Sequence, residues 1–278
     1  SNIIADFKLS VTALNTYLDC PYKFKLNNLY RIPRAKTPSL SFGTAVHSAL
    51  EHFHRKLISD QVRPPKNLLL TQFEKALAKE LLIEDEHVKR LKHGHEVISA
   101  YYDFYENDLW PALSAESYFS GLLDDITLVG KVDRIDLIDE SDRSVRVVDY
   151  KTGKGRTRNE IEGKTKNSNG GYKRQLVFYR LLAELDKRFR YTVTQAEIDF
   201  VEPDKQTGKF RKEKFTISDE EVAALKQLIK DTMKQIRDLK FDRTTDTTIC
   251  TTCEFKNHCY PNGLKNITMT PPLQKSDG

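Results

Sequence analysis

Hydrophobic residues in the first 110 positions recur three and four apart, the spacing of helices that bury one face. Ser10 is the expected N-cap of a short helix carrying Val11, Leu14 and Leu18, which stops near Cys20-Pro21. After a Pro-containing loop around 33–38, Phe42, Ala45, Val46, Ala49, Leu50, Phe53 and Leu57 mark a longer helix that Pro64-Pro65 breaks. Helices over about 66–82 and 86–109 follow, ended by Trp110-Pro111. From about 115 to 151 the pattern changes to short β-type runs. The clearest is Val145 to Lys151, with Asp139-Glu140-Ser141-Asp142 as a hairpin turn before it. Positions 152–172 are rich in Gly, Asn, Lys and Thr without apolar periodicity, and predict a mobile loop. A helix over about 173–189 follows, burying Leu176, Tyr179, Leu182 and Leu185. Strands at 192–202 and 209–217 then flank the turn Asp204–Gly208. Ser218 and Glu221 form a capping box that opens a last long helix, and the tail after Pro261 is polar and frayed. The order predicts an α/β (α+β) core inside a helical frame.

Composition narrows the class. With 278 residues and 38% apolar content the chain can bury a sizeable core. Its mean hydropathy of −0.57 and lack of any apolar run near 20 residues predict no membrane span. No apolar N-terminal region resembles a secretory signal. Four cysteines are too few for a disulfide framework, and three of them crowd into ten residues near the C-terminus. That usage suggests metal ligation in a reducing compartment, the cytoplasm. The net charge is only +5, but its distribution is uneven: Lys151, Lys154, Arg156, Arg158, Lys164, Lys166, Lys173 and Arg174, against Glu160 and Glu162, give one segment +6. A positive field focused there suggests a polyanionic partner.

Four local patterns carry candidate chemistry. Along the strand Val145–Lys151, Asp149 and Lys151 share a face with Val145 and Val147 and lie at its outer end. Such a pair is either an edge ion pair of little worth or a carboxylate and ammonium able to hold a cation beside an anion. Gly130-Lys131-Val132-Asp133-Arg134-Ile135-Asp136 precedes it, and a hairpin would bring Asp133 near Asp149, where two carboxylates repel unless a cation lies between them. Loss of one is therefore expected to spare stability. By itself, the Asp133 segment reads more readily as a solvated strand face. His47, at the flank of an apolar helical stripe, reads on spacing alone as a core-edge histidine. Gln175 and Tyr179, four apart, share one helix face.

Together these segments resemble the RecB-like nucleases of the PD-(D/E)XK superfamily. His47, the GKVDRID segment, VVDYKTG around Asp149 and Lys151, and QLVFY from Gln175 to Tyr179 follow that group's order and spacing. Val132-Asp133 stands for Pro-Asp, and Asp149-Tyr150-Lys151 for D-x-K. Leu9 to Leu14 with Cys20-Pro21 is also typical of the group. Cys20, then 229 residues, then Cys250, Cys253 and Cys259, resembles the staple of AddB-type and CRISPR-associated members. Four thiolates fit a [4Fe–4S] cluster or zinc. Spacing alone favours zinc, the resemblance favours the cluster, and two disulfides are a third possibility.

The resemblance implies a restriction-endonuclease-like mixed sheet flanked by helices. Residues 1–265 would be one nuclease domain, made of a helical part (1–111), a core (112–240) and a cysteine-rich staple (241–265), with a flexible tail at 266–278. It implies Mg²⁺ or Mn²⁺ on His47, Asp133, Asp149 and the Tyr150 carbonyl, with Lys151, Gln175 and Tyr179 completing the site. Lys154, Arg156, Arg158, Lys164, Lys166, Lys173 and Arg174 would track DNA, in particular single-stranded ends. A helicase in cis or trans is the implied partner, and a start at Ser1 agrees with a domain cut from a longer chain. A DNA- or protein-binding module that no longer cuts is the main alternative, and a zinc-stapled RNA-processing factor the more distant one.

Overall fold

A computed structural model describes residues 3–106 and 112–263. The expected helix stop at Trp110-Pro111 and the tail 266–278 lie outside the described residues. Helices α1 (Val11–Asp19), α2 (Pro21–Phe24), α3 (Pro38–Asp60), α4 (Lys66–Leu77) and α5 (Glu84–Phe104) come first, with a π-helical turn at Lys25–Leu29. Strands β1 (Ala112–Leu123), β2 (Ile126–Asp139) and β3 (Ser144–Lys151) follow. Then come α6 (Arg158–Ile161), α7 (Gly171–Leu185), β4 (Thr192–Phe200), β5 (Arg211–Thr216), α8 (Asp219–Arg237), α9 (Thr247–Thr251) and α10 (Lys256–Cys259).

The strands form one mixed sheet in the order β1-β2-β3-β4-β5. Among the described strands only the pair β3 and β4 runs parallel. A parallel neighbour needs a crossover, and α7 supplies it. Alternation along β3 sends its side chains to two cores. Val145 and Val147 join the layer of α1, α7 and α8, whereas Val148 and Tyr150 join α3, α4 and α5. The predicted caps hold: Ser10 accepts from the Ala13 N–H, and Ser218 and Glu221 form a reciprocal capping box.

Three expectations differ from the structure. The helix from Lys66 ends at Leu77 rather than near 82. The crossover helix spans 171–185, because Asp186 leaves helical geometry and its carboxylate takes the Ser120 N–H and Arg188. The segment 152–172 is pinned rather than free. Its capping box Thr157-x-x-Glu160 opens α6, whose Ile161 is fully buried, and Asn169 donates to Asp19. One short turn with a single buried apolar residue leaves no periodicity to detect.

The α3 face of the sheet carries a buried polar cluster. Arg134 is fully buried and makes a two-pronged contact with Asp136 at 2.8 and 3.0 Å. The Tyr150 hydroxyl accepts from Arg134 and donates to His54 Nε2, 2.8 Å away. Burial, then the charges of Arg134 and Lys212, hold His54 well below its ordinary value of 6.5. The folded imidazole therefore stays neutral where the unfolded one takes a proton, so stability rises with pH up to the unfolded value and is lost as pH falls below it. Below pH 6.5 this one group should cost about 1.4 kcal/mol per pH unit. Urea unfolding between pH 5 and 7 (about two units around that value) should show the slope in the wild type and its loss in His54→Gln. Identical slopes would exclude His54 as the source.

Candidate active site

The outer end of β3 places Asp149 and Lys151 on the face covered by α7, where Gln175 and Tyr179 sit one turn apart. Lys151 Nζ lies 2.7 Å from Asp149 Oδ2 and donates to Gln175 Oε1 at 2.8 Å. Gln175 Nε2 donates to Asp149 Oδ1 at 2.7 Å, and the Tyr179 hydroxyl donates to the same oxygen at 3.0 Å. The four residues thus form a closed ring of contacts. Asp149 is almost wholly buried, and burial first, then Asp133, raises its carboxyl above the ordinary range in spite of Lys151. Burial works to lower Lys151, but Asp149 outweighs it and keeps the ammonium charged. Burial and Asp149 push the Tyr179 phenol well up, so its hydroxyl remains a donor.

Asp133 joins from β2. Its Oδ2 accepts the Tyr150 N–H at 2.8 Å and its Oδ1 lies 3.2 Å from His47 Nδ1. His47 projects from the third turn of α3, half-buried. Burial opposes its protonation, but Asp133, by charge and hydrogen bond, and Asp149 raise it above the ordinary value. Strict alternation fails at Asp133, since Val132 and Ile135 both belong to the α7-side core. The pairs Ala115↔Arg134 and Ser117↔Val132 set Glu116 opposite Asp133.

Glu116 is the residue that the sequence reading missed. Its φ of +55° lies in the left-handed region that non-glycine residues rarely adopt, and its side chain, 6% exposed, pairs with Lys131. One ligand atom each from His47, Glu116 and Asp133 lie within 4.8 Å of one another, a span that one cation's coordination sphere covers. A glutamate inside a strand carries no motif, and only the register reveals it. Asp149 lies beside this group rather than in it, its carboxylate turned to Lys151, Gln175 and Tyr179.

The cysteines converge on a cavity of their own. Cys20, Cys250, Cys253 and Cys259 are free thiols lining one small cavity with Tyr22 and Tyr260. Cys20 Sγ accepts the Lys23 N–H that opens α2. Burial, and for Cys250 the neighbouring sulfurs of Cys20 and Cys253, raise the Cys250 and Cys259 thiols. Around them Tyr17 bonds the Lys240 carbonyl and Lys23 pairs with Glu254, joining the two ends of the chain.

Residues 8–260 match the family model of the PD-(D/E)XK nuclease superfamily. The chain belongs to that superfamily. A search of curated proteins finds no match. Among solved structures, the fold is similar to a Eubacterium rectale protein provisionally named an exonuclease. The TM-score is 0.57 at 14% identity, over 98% of this chain and 92% of that one. SSO0001 is a looser likeness, with TM-score 0.36 and 14% identity over 84% of this chain and 91% of that one. Among the described residues, no helix is long and apolar enough to cross a membrane.

In this PD-(D/E)XK chain the Asp149 carboxylate is structurally engaged, contrary to the expectation that its loss spares stability. Asp149→Ala strands a Lys151 side chain only 20% exposed, together with two donors. The cost should be about 3 kcal/mol, read from the urea midpoint, and Lys151→Met added to it should recover part of the loss. An unchanged midpoint in Asp149→Ala would show that the ring of contacts is not energetically engaged.

Proposed function

We propose that the chain is a Mg²⁺- or Mn²⁺-dependent deoxyribonuclease that hydrolyses phosphodiester bonds at single-stranded or unwound DNA ends. It would act as an exonuclease in DNA repair or recombination. The observation that carries this reading is the charged Lys151, locked by Asp149 and Gln175, beside the His47–Glu116–Asp133 group. The donor set suits a hard divalent cation, since it is dominated by carboxylates. The buried Asp149 Oδ2, which meets Lys151 Nζ at 2.7 Å and no other donor, offers a further oxygen.

His47, Asp133 and Asp149 would hold the ion with the Tyr150 carbonyl, and Glu116 is the donor that the geometry adds. When bound, the ion supplies Lewis-acid polarisation of a phosphate oxygen and a lowered pKa for water. Lys151 orients the attacking water with its remaining hydrogens and offsets negative charge building on the phosphate. Gln175 and Tyr179 fix the positions of Lys151 and Asp149. Among the described residues Lys154, Arg156 and Lys166 make no ion pair, which favours them for phosphate tracking. Arg158 and Lys164 share Glu162, Lys173 pairs with Glu221, and Arg174 bonds Asn15, so these four contribute less.

The same reading takes residues 1–265 as one domain stapled by a [4Fe–4S] cluster on Cys20, Cys250, Cys253 and Cys259. The four free thiols line one small cavity, a donor set that suits a cluster or a zinc ion, and the resemblance favours the cluster. Free thiols accord with a reducing compartment such as the cytoplasm. A helicase, in cis or trans, is the partner that would deliver an unwound strand.

End-labelled DNA should be degraded with Mg²⁺ or Mn²⁺, and Asp133→Ala and Lys151→Met should each slow cleavage by about 10³-fold. Near wild-type cleavage by either variant would overturn the site assignment. Cys253→Ser should lower Tm by about 10 °C and remove the visible absorbance of the cluster. An unchanged Tm would remove the staple.

A further inference from the structure

Beyond the end of β3 the chain turns at Thr152-Gly153 into a cleft of about 630 Å³. Gly153 has φ +101°, a conformation that suits glycine. The cleft lies next to Lys151, along α3. His47, Gly43 and Ser39 are four apart on one helix face, Gly43 abuts Thr152, and Ser39 and Thr152 line the cleft. Its volume lies within the roughly 300–1,000 Å³ of small-molecule sites, enough for a nucleotide and too small for a duplex.

The lining has an uneven charge. Arg90, His93, Lys154 and Lys205 are basic, and Glu202 and Asp204 acidic. Both carboxylates are already engaged. Glu202 accepts from the Gly153 N–H and faces His93 Nε2 at 3.1 Å, and Asp204 accepts the Gln206 and Thr207 N–H groups of its own turn. The cations are less satisfied. Arg90 meets Glu86 only at 3.5 Å, and its buried Nε has no hydrogen-bond partner. Lys154 and Lys205 make no ion pair among the described residues. The His93 ring lies 5.2 Å from Phe42 and retains 36% side-chain exposure, a flat face held from behind.

We propose that this cleft binds the terminal nucleotide of a DNA single strand, its phosphate among Arg90, Lys154 and Lys205 and its base on the His93 ring. The proposal rests on the nuclease reading and gives it a substrate feature: a strand end held a fixed distance from the site of cutting. Stacking on an aromatic ring tolerates any base, and the basic side chains recognise only phosphate. Neither contact selects sequence.

The test separates an end from an interior nucleotide and binding from cutting. The probes are dTMP, single-stranded oligonucleotides phosphorylated at the 5′ or the 3′ end, and circular single-stranded DNA, all titrated against the full chain in EDTA. The wild type should bind dTMP, and should bind one phosphorylated linear strand about tenfold more tightly than the circle. Arg90→Ala with Lys205→Ala should weaken dTMP about tenfold, the scale of a lost charge-assisted hydrogen bond. Ser39→Trp, at an exposed position on the rim, should block it by filling the space. Equal affinity for linear and circular strands, or dTMP binding unchanged in both variants, would overturn the proposal. Cleavage with Mn²⁺ is read separately. DNA cut normally by variants that still bind dTMP removes the cleft and keeps the nuclease. Nucleotide binding that the variants lose, with no DNA cut under any metal, keeps the cleft and removes the nuclease.

Discussion

The buried contact between Asp149 and Lys151 is the constraint around which this molecule is arranged. Neither charge could be taken from water alone. Asp149 is 2% exposed, and its Oδ1 is satisfied only because α7 supplies both the Gln175 amide and the Tyr179 hydroxyl. A buried pair of this kind contributes little to net stability but is costly to break, which makes the position of α7 on the sheet a condition of the folded state. The same pair leaves Asp149 Oδ2 with Lys151 as its one partner among the described residues.

The other face of the sheet secures the same strand differently. His47 and His54 lie seven residues apart on one side of α3. The first touches Asp133 and the second receives the Tyr150 hydroxyl. Tyr150 is therefore held twice, by its N–H on Asp133 and by its hydroxyl between Arg134 and His54. A helix fastened at both points cannot slide along β3 without breaking a buried hydrogen bond. The distance between His47 and the carboxylates is consequently set by packing remote from them.

Much of this was legible in the residues. Periodicity located the long helices, the strand Val145–Lys151 and the crossover helix, because each buries a regular stripe. The ordered set from His47 to Tyr179 named the side chains that the fold gathers at the end of β3. What escaped had no periodic or compositional trace. Glu116 reaches the site through a left-handed backbone residue opposite a break in alternation, and register across a long hairpin is not written in either strand alone. The pinned segment after Gly153 escaped because its one buried side chain, Ile161, makes no pattern. Its basic side chains looked equivalent in sequence, whereas in space Glu162 and Glu221 neutralise several of them.

The parallel pairing of β3 with β4 bears on how the chain comes into being. Antiparallel neighbours such as β2 and β3 can zip from their turn, but β3 and β4 are joined only through the whole of α7. Ser144 faces Thr192 and Lys151 faces Phe200, so this closure spans about fifty residues. During synthesis, Asp133, Asp149 and Lys151 leave the ribosome well before Gln175 has a sheet to rest on. Lys151 gains the Gln175 contact that orients it only once α7, made after β3, has packed on the sheet. The fold thereby delays the competent arrangement to a late stage of assembly, and a nascent or partly unfolded chain carries the charges of the site without its geometry.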